Sequence, residues 1–261
     1  MKLFIASFNR ASNGALEHLK KRLEEENMLA SRTDSATHVL AVGDREETFD
    51  CVLWAFKKGY PIIHLWAGEQ ACWETNDDVY RHSMTLMSDM QLCTNQTAKK
   101  LVDALCELTG KQPNSHVVGN VMLDDLTPDE SQVPEHEYNL VLYNPLIDRK
   151  TTQQEVDALY RWLIEEDKPY IWLSTNGDSN CDIVNKYTNT STLPRPQFLG
   201  LLKNCNKFFT NSSCQYYEAP FLMDTVNIIS IGKRNKNRAS KNATMTITNA
   251  TENIIKLLRE L

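Results

Sequence analysis

Ser212 and Ser213 stand where a phosphate group could bind. They follow an apolar run and open a predicted helix over residues 212–219. Backbone N–H groups at a helix start are unsatisfied and the helix dipole is positive there, so an anion is favoured and the serine hydroxyls add donors. Glu218, near the end of this helix, is predicted to be exposed and could accept the hydroxyls of a ribose. Helix capping by Asn211 or Ser212 is the alternative.

Most charged candidates of the first half follow a predicted strand or begin a helix; they are Asp44, Glu69, Asp77, Asp78, Arg81 and His82. Asp44 and Glu69 each lie beside a glycine, which lets the backbone come close to a ligand. His82 follows Arg81 on the helix that begins with the two aspartates, so it is a better site candidate than His64, an expected core residue of an apolar strand. Turn and capping roles are the alternative, because every α/β protein has polar residues at such places.

Basic and amide side chains could complete a phosphate site. Arg10 follows the first predicted strand, Asn144 follows the first strand of the second half, and Arg234 lies in a Gly-Lys-Arg run. In open α/β sheets, ligands bind outside the carboxyl ends of the strands. We therefore expect these residues at one edge of each sheet, with solvated surface charge as the alternative for Arg234.

Short apolar runs alternate with segments of helical period along the chain, which predicts parallel sheets with helices on both faces. Strands are predicted at residues 3–8, 38–42, 62–66, 90–93, 116–118, 139–143, 170–173, 207–210 and 226–229. Helices are predicted at residues 14–26, 47–58, 79–88, 97–108, 152–166, 181–186, 198–203, 212–219 and 251–261. Residues 127–136, with two prolines and no large apolar side chains, predict a linker. The expected fold is α/β, with two Rossmann-like, doubly wound domains (residues 1–135 and 136–261), the ligand in the cleft between them and a closing helix on the second.

The composition argues against several classes of protein. The 261 residues are 41% hydrophobic and 24% charged, which is typical of a globular protein, and the formal net charge of -6 argues against broad non-specific binding to nucleic acid. No apolar run approaches the length of a membrane helix, which predicts a cytoplasmic protein without membrane contact. The seven scattered cysteines form no Cys-x-x-Cys pair and predict reduced core thiols. Motifs for NAD, for a P-loop and for a paired-histidine metal site are missing, so no cofactor and no metal are expected.

Together these residues resemble the hydrolysing, non-NAD UDP-N-acetylglucosamine 2-epimerase family, which has the two-domain GT-B fold. In the first half, residues 9–16 (Asn-Arg-Ala-Ser-Asn-Gly-Ala-Leu) look like the family's Thr-Arg-Ala-Glu-Tyr-Gly-Leu-Leu. Residues 43–45 look like its Gly-Asp-Arg, residues 68–69 like part of its Gly-Gly-Glu, and residues 77–82 like its Asp-Asp-x-Ile-Arg-His. In the second half, residues 211–214 and 218–220 look like its Asn-Ser-Ser-Ser and Glu-Ala-Pro, and residues 226–234 like its Val-Asn-Ile-Gly-Asp-Arg segment. The matches run in order over most of the chain.

The resemblance implies a mechanism and a set of site residues. Elimination of UDP across C1–C2 of the sugar gives a glycal, and water or UDP then adds back. The residues implied to be catalytic are Asp44, Glu69, Asp77 and Asp78. The residues implied to bind a UDP-linked sugar are Arg10, Arg81, His82, Asn144, Ser212, Ser213, Glu218 and Arg234.

Two departures from the family pattern leave other functions open. Asn144 stands where the family has a histidine, and an asparagine cannot carry a proton or a positive charge. Between residues 27 and 38 the chain lacks strands and helices that the family has there, in the half that shapes the sugar or acceptor side. A glycosyltransferase, with hydroxylated phage-type DNA as one acceptor, is therefore the first alternative to an epimerase or hydrolase. A non-catalytic nucleotide-sugar binder is the second alternative, and a homodimer is an open assembly.

Overall fold

The computed structural model describes residues 1–8, 10–71, 76–175, 179–235 and 247–261, with only the backbone for residues 10–12. Its strands form two parallel sheets. The first sheet contains, in spatial order, β1 (Leu3–Ala6), β2 (His38–Val42), β3 (Ile62–Leu65), β4 (Met90–Cys93) and β5 (Ser115–Val117). The second contains β6 (Asn139–Leu142), β7 (Tyr170–Trp172), β8 (Phe208–Thr210) and β9 (Ile228–Ser230) in the order β7-β6-β8-β9. The expected α/β class with two parallel sheets is confirmed.

Helices connect the strands, as parallel pairing requires. They are α1 (Arg10–Ala15), α2 (Glu17–Glu25), α3 (Glu46–Lys58), α4 (Asp77–Met87), α5 (Gln96–Leu108), α6 (Arg149–Glu165), α7 (Cys181–Val184), α8 (Arg195–Asn204), α9 (Cys214–Tyr217) and α10 (Ala250–Arg259). In α3, Glu46 and Glu47 lie in the first turn and Lys57 and Lys58 in the last, which suits the helix dipole. Gly59, at φ +74°, ends α3 in the left-handed conformation that glycine adopts without strain.

Each face of the first sheet carries its own apolar core. Leu40 and Val42 of β2 point into one core, whereas Val39 and Ala41 point into the other. This alternation follows from the two-residue period of a strand. Because β2 is apolar on both faces, it can lie in the interior of a parallel sheet.

Contacts within the chain divide it into two compact units. The first contains Met1–Ala71, Asn76–Asp125 and the terminal residues 247–261, and the second contains residues 126–235. The division therefore falls between Asp125 and Leu126 rather than after residue 135, and α10 packs with the first unit rather than closing the second. Its apolar residues join a core of the first sheet. Because α10 follows the second unit along the chain but packs with the first, no local pattern in the sequence predicts this contact.

The expected linker is packed structure of the second unit. Glu130–Gln132 form a short 3₁₀ turn, and the Asp129 N–H donates to the Pro196 carbonyl at 2.8 Å. Gly200 of α8 permits this contact, since a Cβ there would lie 2.1 Å from the Asp129 carbonyl oxygen. The proline and acidic residues of this segment therefore belong to an irregular stretch that packs on α8, not to a free linker.

The expected helix over residues 14–26 is interrupted, because α1 ends at Ala15 and α2 begins at Glu17 with the fully buried Leu16 between them. Helices long and apolar enough to cross a membrane do not occur in the parts of the chain that the structure describes.

Candidate functional site

The turn of Gly43 and Asp44 stands at the carboxyl end of β2. Gly43 has φ +81°, and its N–H donates to the Leu65 carbonyl at 3.2 Å. This left-handed conformation favours glycine, and it ends the strand immediately before Asp44. The Asp44 side chain is 23% exposed, so its carboxylate is accessible at the sheet edge.

Asp44 is paired with Arg81 of α4, whose guanidinium Nη2 donates to the Asp44 Oδ2. The Arg81 side chain is only 4% exposed, so the cation lies deeper than the carboxylate that it holds. The residue at the N-cap of α3 is Arg45, and the hydrogen bond of the Asp44 carboxylate goes to Arg81 instead of to that helix. Two residues that the sequence offered as separate candidates therefore form one ion pair.

Glu69 lies deep at the same edge, with 3% of its surface exposed. Its Oε1 accepts a hydrogen bond from the Thr94 hydroxyl, just after β4. The Asn95 side chain donates to that hydroxyl at 2.9 Å and also caps α5 by accepting from the Ala98 N–H at 3.0 Å. The carboxylate of Glu69 is thus held at the end of β4 by Thr94, which was not among the site residues predicted from the sequence.

The first turn of α4 carries the two predicted aspartates, both half-buried. Asp78 Oδ1 accepts from the Ala71 N–H at 2.7 Å, which ties the segment after β3 to the helix. His82, one turn further along, has a buried Nδ1 without a hydrogen-bond partner among the described residues. Burial and the Arg81 charge lower the pKa of His82 to about 4. The imidazole is therefore neutral near pH 7 and retains a nitrogen for a ligand.

His64 is a fully buried residue of β3, so its assignment to the core is confirmed. Its Nδ1 lies 3.1 Å from the Thr85 hydroxyl and its Nε2 lies 2.9 Å from the Gly43 carbonyl oxygen. Both ring nitrogens therefore have partners.

In the second unit, the buried Asn211 joins the segments that follow the strands. Its Oδ1 accepts from the Asn144 N–H at 2.6 Å, and its Nδ2 donates to the Asn144 carbonyl at 2.6 Å. The Asn235 side chain donates to the Asn211 carbonyl at 2.6 Å. Arg234 Nη1 donates to the Pro145 carbonyl at 2.7 Å. Asn144 and Arg234 are thus brought together at the carboxyl edge of the second sheet.

The two serines open a helix that is shorter than predicted. It covers only Cys214–Tyr217 and is followed by a 3₁₀ turn, Ala219–Phe221, so its dipole is smaller than that of a full helix. The Ser212 hydroxyl accepts from the Cys214 N–H at 3.4 Å, but the N-cap residue of the helix is Ser213, whose side chain makes no capping hydrogen bond. Ser212 and Ser213 are both half-buried.

Glu218 is buried, so the expectation of an exposed glutamate was wrong. It is 4% exposed, and its Oε1 accepts from Arg195 Nε at 3.0 Å and lies 2.8 Å from Arg195 Nη2. Burial raises the pKa of Glu218, and the Arg195 charge opposes that shift. Arg195 was not predicted from the sequence, because no helical or strand period links it to a residue 23 positions away.

Trp66, directly after β3, is also absent from the site residues predicted from the sequence. Its φ of +67° is unusual for a bulky side chain. A Cβ on Gly43 would lie 3.7 Å from the indole ring, so the ring covers the turn before Asp44. The indole N–H is buried without a hydrogen-bond partner in the described structure. The sequence predicts Trp66 as the last residue of the strand over residues 62–66, and so gives no signal that its ring covers this turn.

The remaining predictions concern the Arg10 side chain, the cysteines and metal binding. Arg10 begins α1, but its side chain lies outside the described residues. Six cysteines in the described ranges are free thiols. Those ranges contain no group of three or more His, Cys, Asp or Glu side chains that could hold a metal ion.

The family model described as UDP-N-acetylglucosamine 2-epimerase matches residues 12–261. The chain belongs to the UDP-N-acetylglucosamine 2-epimerase family. This agrees with the resemblance noted from the sequence motifs.

Curated relatives are distant in sequence and longer than this chain. The polysialic acid biosynthesis protein P7 of Escherichia coli is 26% identical over 220 residues, which cover 77% of this chain and 56% of that protein. The hydrolysing UDP-N,N'-diacetylbacillosamine 2-epimerase of Legionella pneumophila is 23% identical over 250 residues, which cover 85% and 63%. This member of the family thus spans about three fifths of the length of these relatives.

Solved structures show the same fold. The UDP-GlcNAc 2-epimerase of Neisseria meningitidis, in a crystal structure with UDP-GlcNAc, has a TM-score of 0.61 at 15% identity over 95% of this chain and 80% of that one. The MnaA protein of S. aureus, in a structure with UDP, has a TM-score of 0.58 at 18% identity over 98% and 73%. The expected GT-B fold, with two parallel sheets, is therefore confirmed.

Proposed function

We propose that this chain is a UDP-sugar-processing enzyme that eliminates UDP from UDP-N-acetylglucosamine or a close analogue and then adds water or UDP back. The observation that carries the proposal is the Asp44–Arg81 pair, which holds a partly exposed carboxylate at the carboxyl edge of the first sheet. Family membership supports the substrate class, because relatives of this chain bear the name of UDP-sugar 2-epimerases.

In the proposed reaction, a carboxylate takes the proton from C2 of the sugar. The C2–H electron pair forms the C1=C2 bond, and the C1–O bond breaks with its electrons leaving on UDP. Water then adds a hydroxyl at C1 and a proton at C2. Alternatively, C2 is protonated on the opposite face and UDP adds back at C1. Asp44, Glu69 and Asp77 are the proposed proton-transfer groups, because positioned carboxylates suit such steps. Asp78, engaged with Ala71, fits a supporting role, and Arg81 and His82 would contact the sugar nucleotide.

The edge of the second sheet is proposed to hold the UDP moiety. Asn211 fixes the backbone of Asn144, and the Asn144 side chain and the Arg234 guanidinium are groups that suit phosphate oxygens. Ser212, Ser213 and Arg10 would add donors to the diphosphate, and Glu218 would bind the ribose. Free thiols fit a cytoplasmic location. An acceptor and a homodimer stay predictions from the sequence alone.

The decisive experiment is incubation of the purified chain with UDP-N-acetylglucosamine alone, followed by NMR. We expect either UDP together with N-acetylmannosamine, if water adds, or UDP-N-acetylmannosamine, if UDP adds back. Turnover that begins only when an acceptor is added would support the glycosyltransferase alternative. Binding of UDP-N-acetylglucosamine without turnover, with or without an acceptor, would support the non-catalytic binder.

Asp44→Asn should reduce this turnover at least about 10²-fold while UDP binding by calorimetry is retained, because the amide keeps the shape but cannot take the proton. Asp34→Asn is the matched control, since Asp34 also pairs with an arginine, at 3.3 Å from Arg32, but is exposed. Near-normal turnover of a folded Asp44→Asn variant would remove Asp44 from the mechanism.

A further inference from the structure

His64 connects the turn before Asp44 to the helix that carries Arg81. Its Nε2 lies 2.9 Å from the Gly43 carbonyl oxygen, and its Nδ1 lies 3.1 Å from the hydroxyl of Thr85 on α4. His64 and Thr85 are both fully buried. The proposed catalytic chemistry makes no use of either residue, so their contacts need another explanation.

The two partners fix the protonation of the ring. A carbonyl oxygen only accepts, so Nε2 must carry the hydrogen that it donates to Gly43. Burial lowers the pKa of His64 to about 4, although the hydrogen bond to the Gly43 carbonyl acts in the opposite direction. The imidazole is therefore neutral near pH 7, and its Nδ1 is left as an acceptor for the Thr85 hydroxyl. One tautomer satisfies both contacts, and the flipped ring satisfies neither.

This arrangement constrains the direction in which Asp44 points. The Gly43 N–H is held by the Leu65 carbonyl, and its carbonyl is held by His64, so both hydrogen-bonding groups of the residue before Asp44 are anchored to β3. The Asp44 carboxylate is held in turn by Arg81, one helical turn before Thr85. His64 links the backbone of this turn to α4, and Arg81 links the side chain of Asp44 to the same helix.

We propose that His64 is a positioning residue, which with Thr85 fixes the Gly43 carbonyl and so aims the Asp44 carboxylate at the reacting sugar. The inference rests on the proposed function for its catalytic consequence, but the anchoring of the turn does not. Displacement of a catalytic group by about 1 Å can reduce a rate by about 10²-fold, so a buried residue without substrate contact can influence kcat.

A matched pair of variants separates the two bonds of the ring. The amide nitrogen of Gln in His64→Gln can reach the place of Nε2 and donate to Gly43, but it leaves Thr85 without its acceptor. The shorter side chain in His64→Asn can accept from Thr85 at the place of Nδ1, but it does not reach Gly43. Each variant loses one hydrogen bond of the same residue, so a merely structural role predicts similar losses of activity for both.

The positioning role predicts an asymmetry. We expect similar decreases in Tm for the two variants. We expect kcat to fall about 10- to 100-fold in His64→Asn with KM changed less than about threefold, and to fall less than about threefold in His64→Gln. Amide hydrogen exchange at residues 43–46, read by NMR without substrate, should accelerate in His64→Asn and stay near the wild-type rate in His64→Gln.

The exchange measurement makes the outcomes distinguishable. Equal exchange rates at residues 43–46 in the two variants would overturn the positioning role, whatever the activity. Equal loss of kcat in variants of an active enzyme would overturn it too. A wild-type chain that binds UDP-N-acetylglucosamine without turnover, yet shows the exchange asymmetry, would refute the proposed reaction and leave the anchoring of the Asp44 turn established.

Discussion

The Glu218 carboxylate and the Arg195 guanidinium form an ion pair with side chains only 5% and 13% exposed. Removing one member of a buried pair leaves an uncompensated charge, which is more destabilising than losing both charges together. The pair therefore complicates any test of Glu218 as a ribose ligand. A single substitution would disturb the fold and the proposed contact at once.

We expect Glu218→Ala to lower the free energy of unfolding by about 3–5 kcal/mol in urea denaturation, because Arg195 is left buried without its anion. The double variant Glu218→Leu with Arg195→Met should recover most of that loss, since two apolar side chains replace the pair. If Glu218 also binds the ribose, the double variant folds and yet fails to bind UDP in calorimetry. Normal UDP affinity of the folded double variant would leave the pair a purely structural feature.

The buried histidines give the chain a defined acid sensitivity. The pKa of His64 is lowered from an ordinary value near 6.5 to about 4 by burial, and the pKa of the less buried His82 moves in the same direction. Between about pH 4 and pH 6.5, His64 binds a proton in the unfolded chain but not in the folded chain. The stabilising effect is therefore complete above about pH 6.5 and is lost as the pH falls towards 4.

Removing one of these sites should flatten that dependence. We expect His64→Gln to lose less stability than the wild type between pH 7 and pH 4.5, by up to about 3 kcal/mol, because the variant lacks the titrating imidazole. Urea denaturation at a series of pH values measures this difference, and the carboxylates common to both proteins cancel in it. Parallel curves for the two proteins would show that His64 titrates normally in the folded chain.

The helix α10 is held to the first unit by charge, capping and burial. Arg22 of α2 donates to Glu252 at 2.6 Å, and Asp124 accepts from the Ala250 N–H at 2.8 Å. Ile254 and Ile255 are fully buried in a core of the first sheet. The path into α10 passes Gly119, where a Cβ would lie 1.7 Å from the Thr248 hydroxyl oxygen.

Gly119→Ala should therefore loosen α10. The added Cβ is strained by the left-handed backbone at φ +96° and clashes with Thr248. We therefore expect a larger loss of unfolding free energy than for Gly110→Ala. Gly110 is the matched control, because its φ is +73° but nothing lies within 4 Å of the added Cβ. The control should lose about 1–2 kcal/mol in urea denaturation. Equal losses for the two variants would show that the approach of Thr248 is not required for stability.

Local patterns in the sequence identify the elements but not their long-range partners. The strand β2 has the predicted bounds because its five residues are all apolar or β-branched except the first, and a turn signal follows. The split between α1 and α2 was missed because the helical period continues through Leu16. The Asp44–Arg81 and Glu218–Arg195 pairs join residues 37 and 23 positions apart, and no period connects such positions. Candidate residues could thus be selected from the sequence, whereas their pairing and burial required the fold.

Ligand stabilisation can test which of the two compact units binds the nucleotide and which binds the sugar. A ligand that binds only the folded state raises stability by RT ln(1 + [L]/Kd), which is about 2.7 kcal/mol at one hundred times Kd. UDP is proposed to contact the edge of the second sheet, and the sugar to contact the edge of the first. Each unit contains its own apolar cores, so protection can be followed separately in each.

We expect UDP alone to slow amide hydrogen exchange in residues 126–235, and UDP-N-acetylglucosamine to slow it also around β2 and α4 of the first unit. Arg234→Ala should abolish the protection by UDP, because the guanidinium beside Pro145 is proposed to bind the diphosphate. Lys233→Ala is the control, since the adjacent Lys233 is exposed and also loses one positive charge. Mass spectrometry of peptides after exchange measures these changes. Protection by UDP that appears only in the first unit, or that persists in a folded Arg234→Ala variant, would contradict the assignment of the nucleotide to the second sheet.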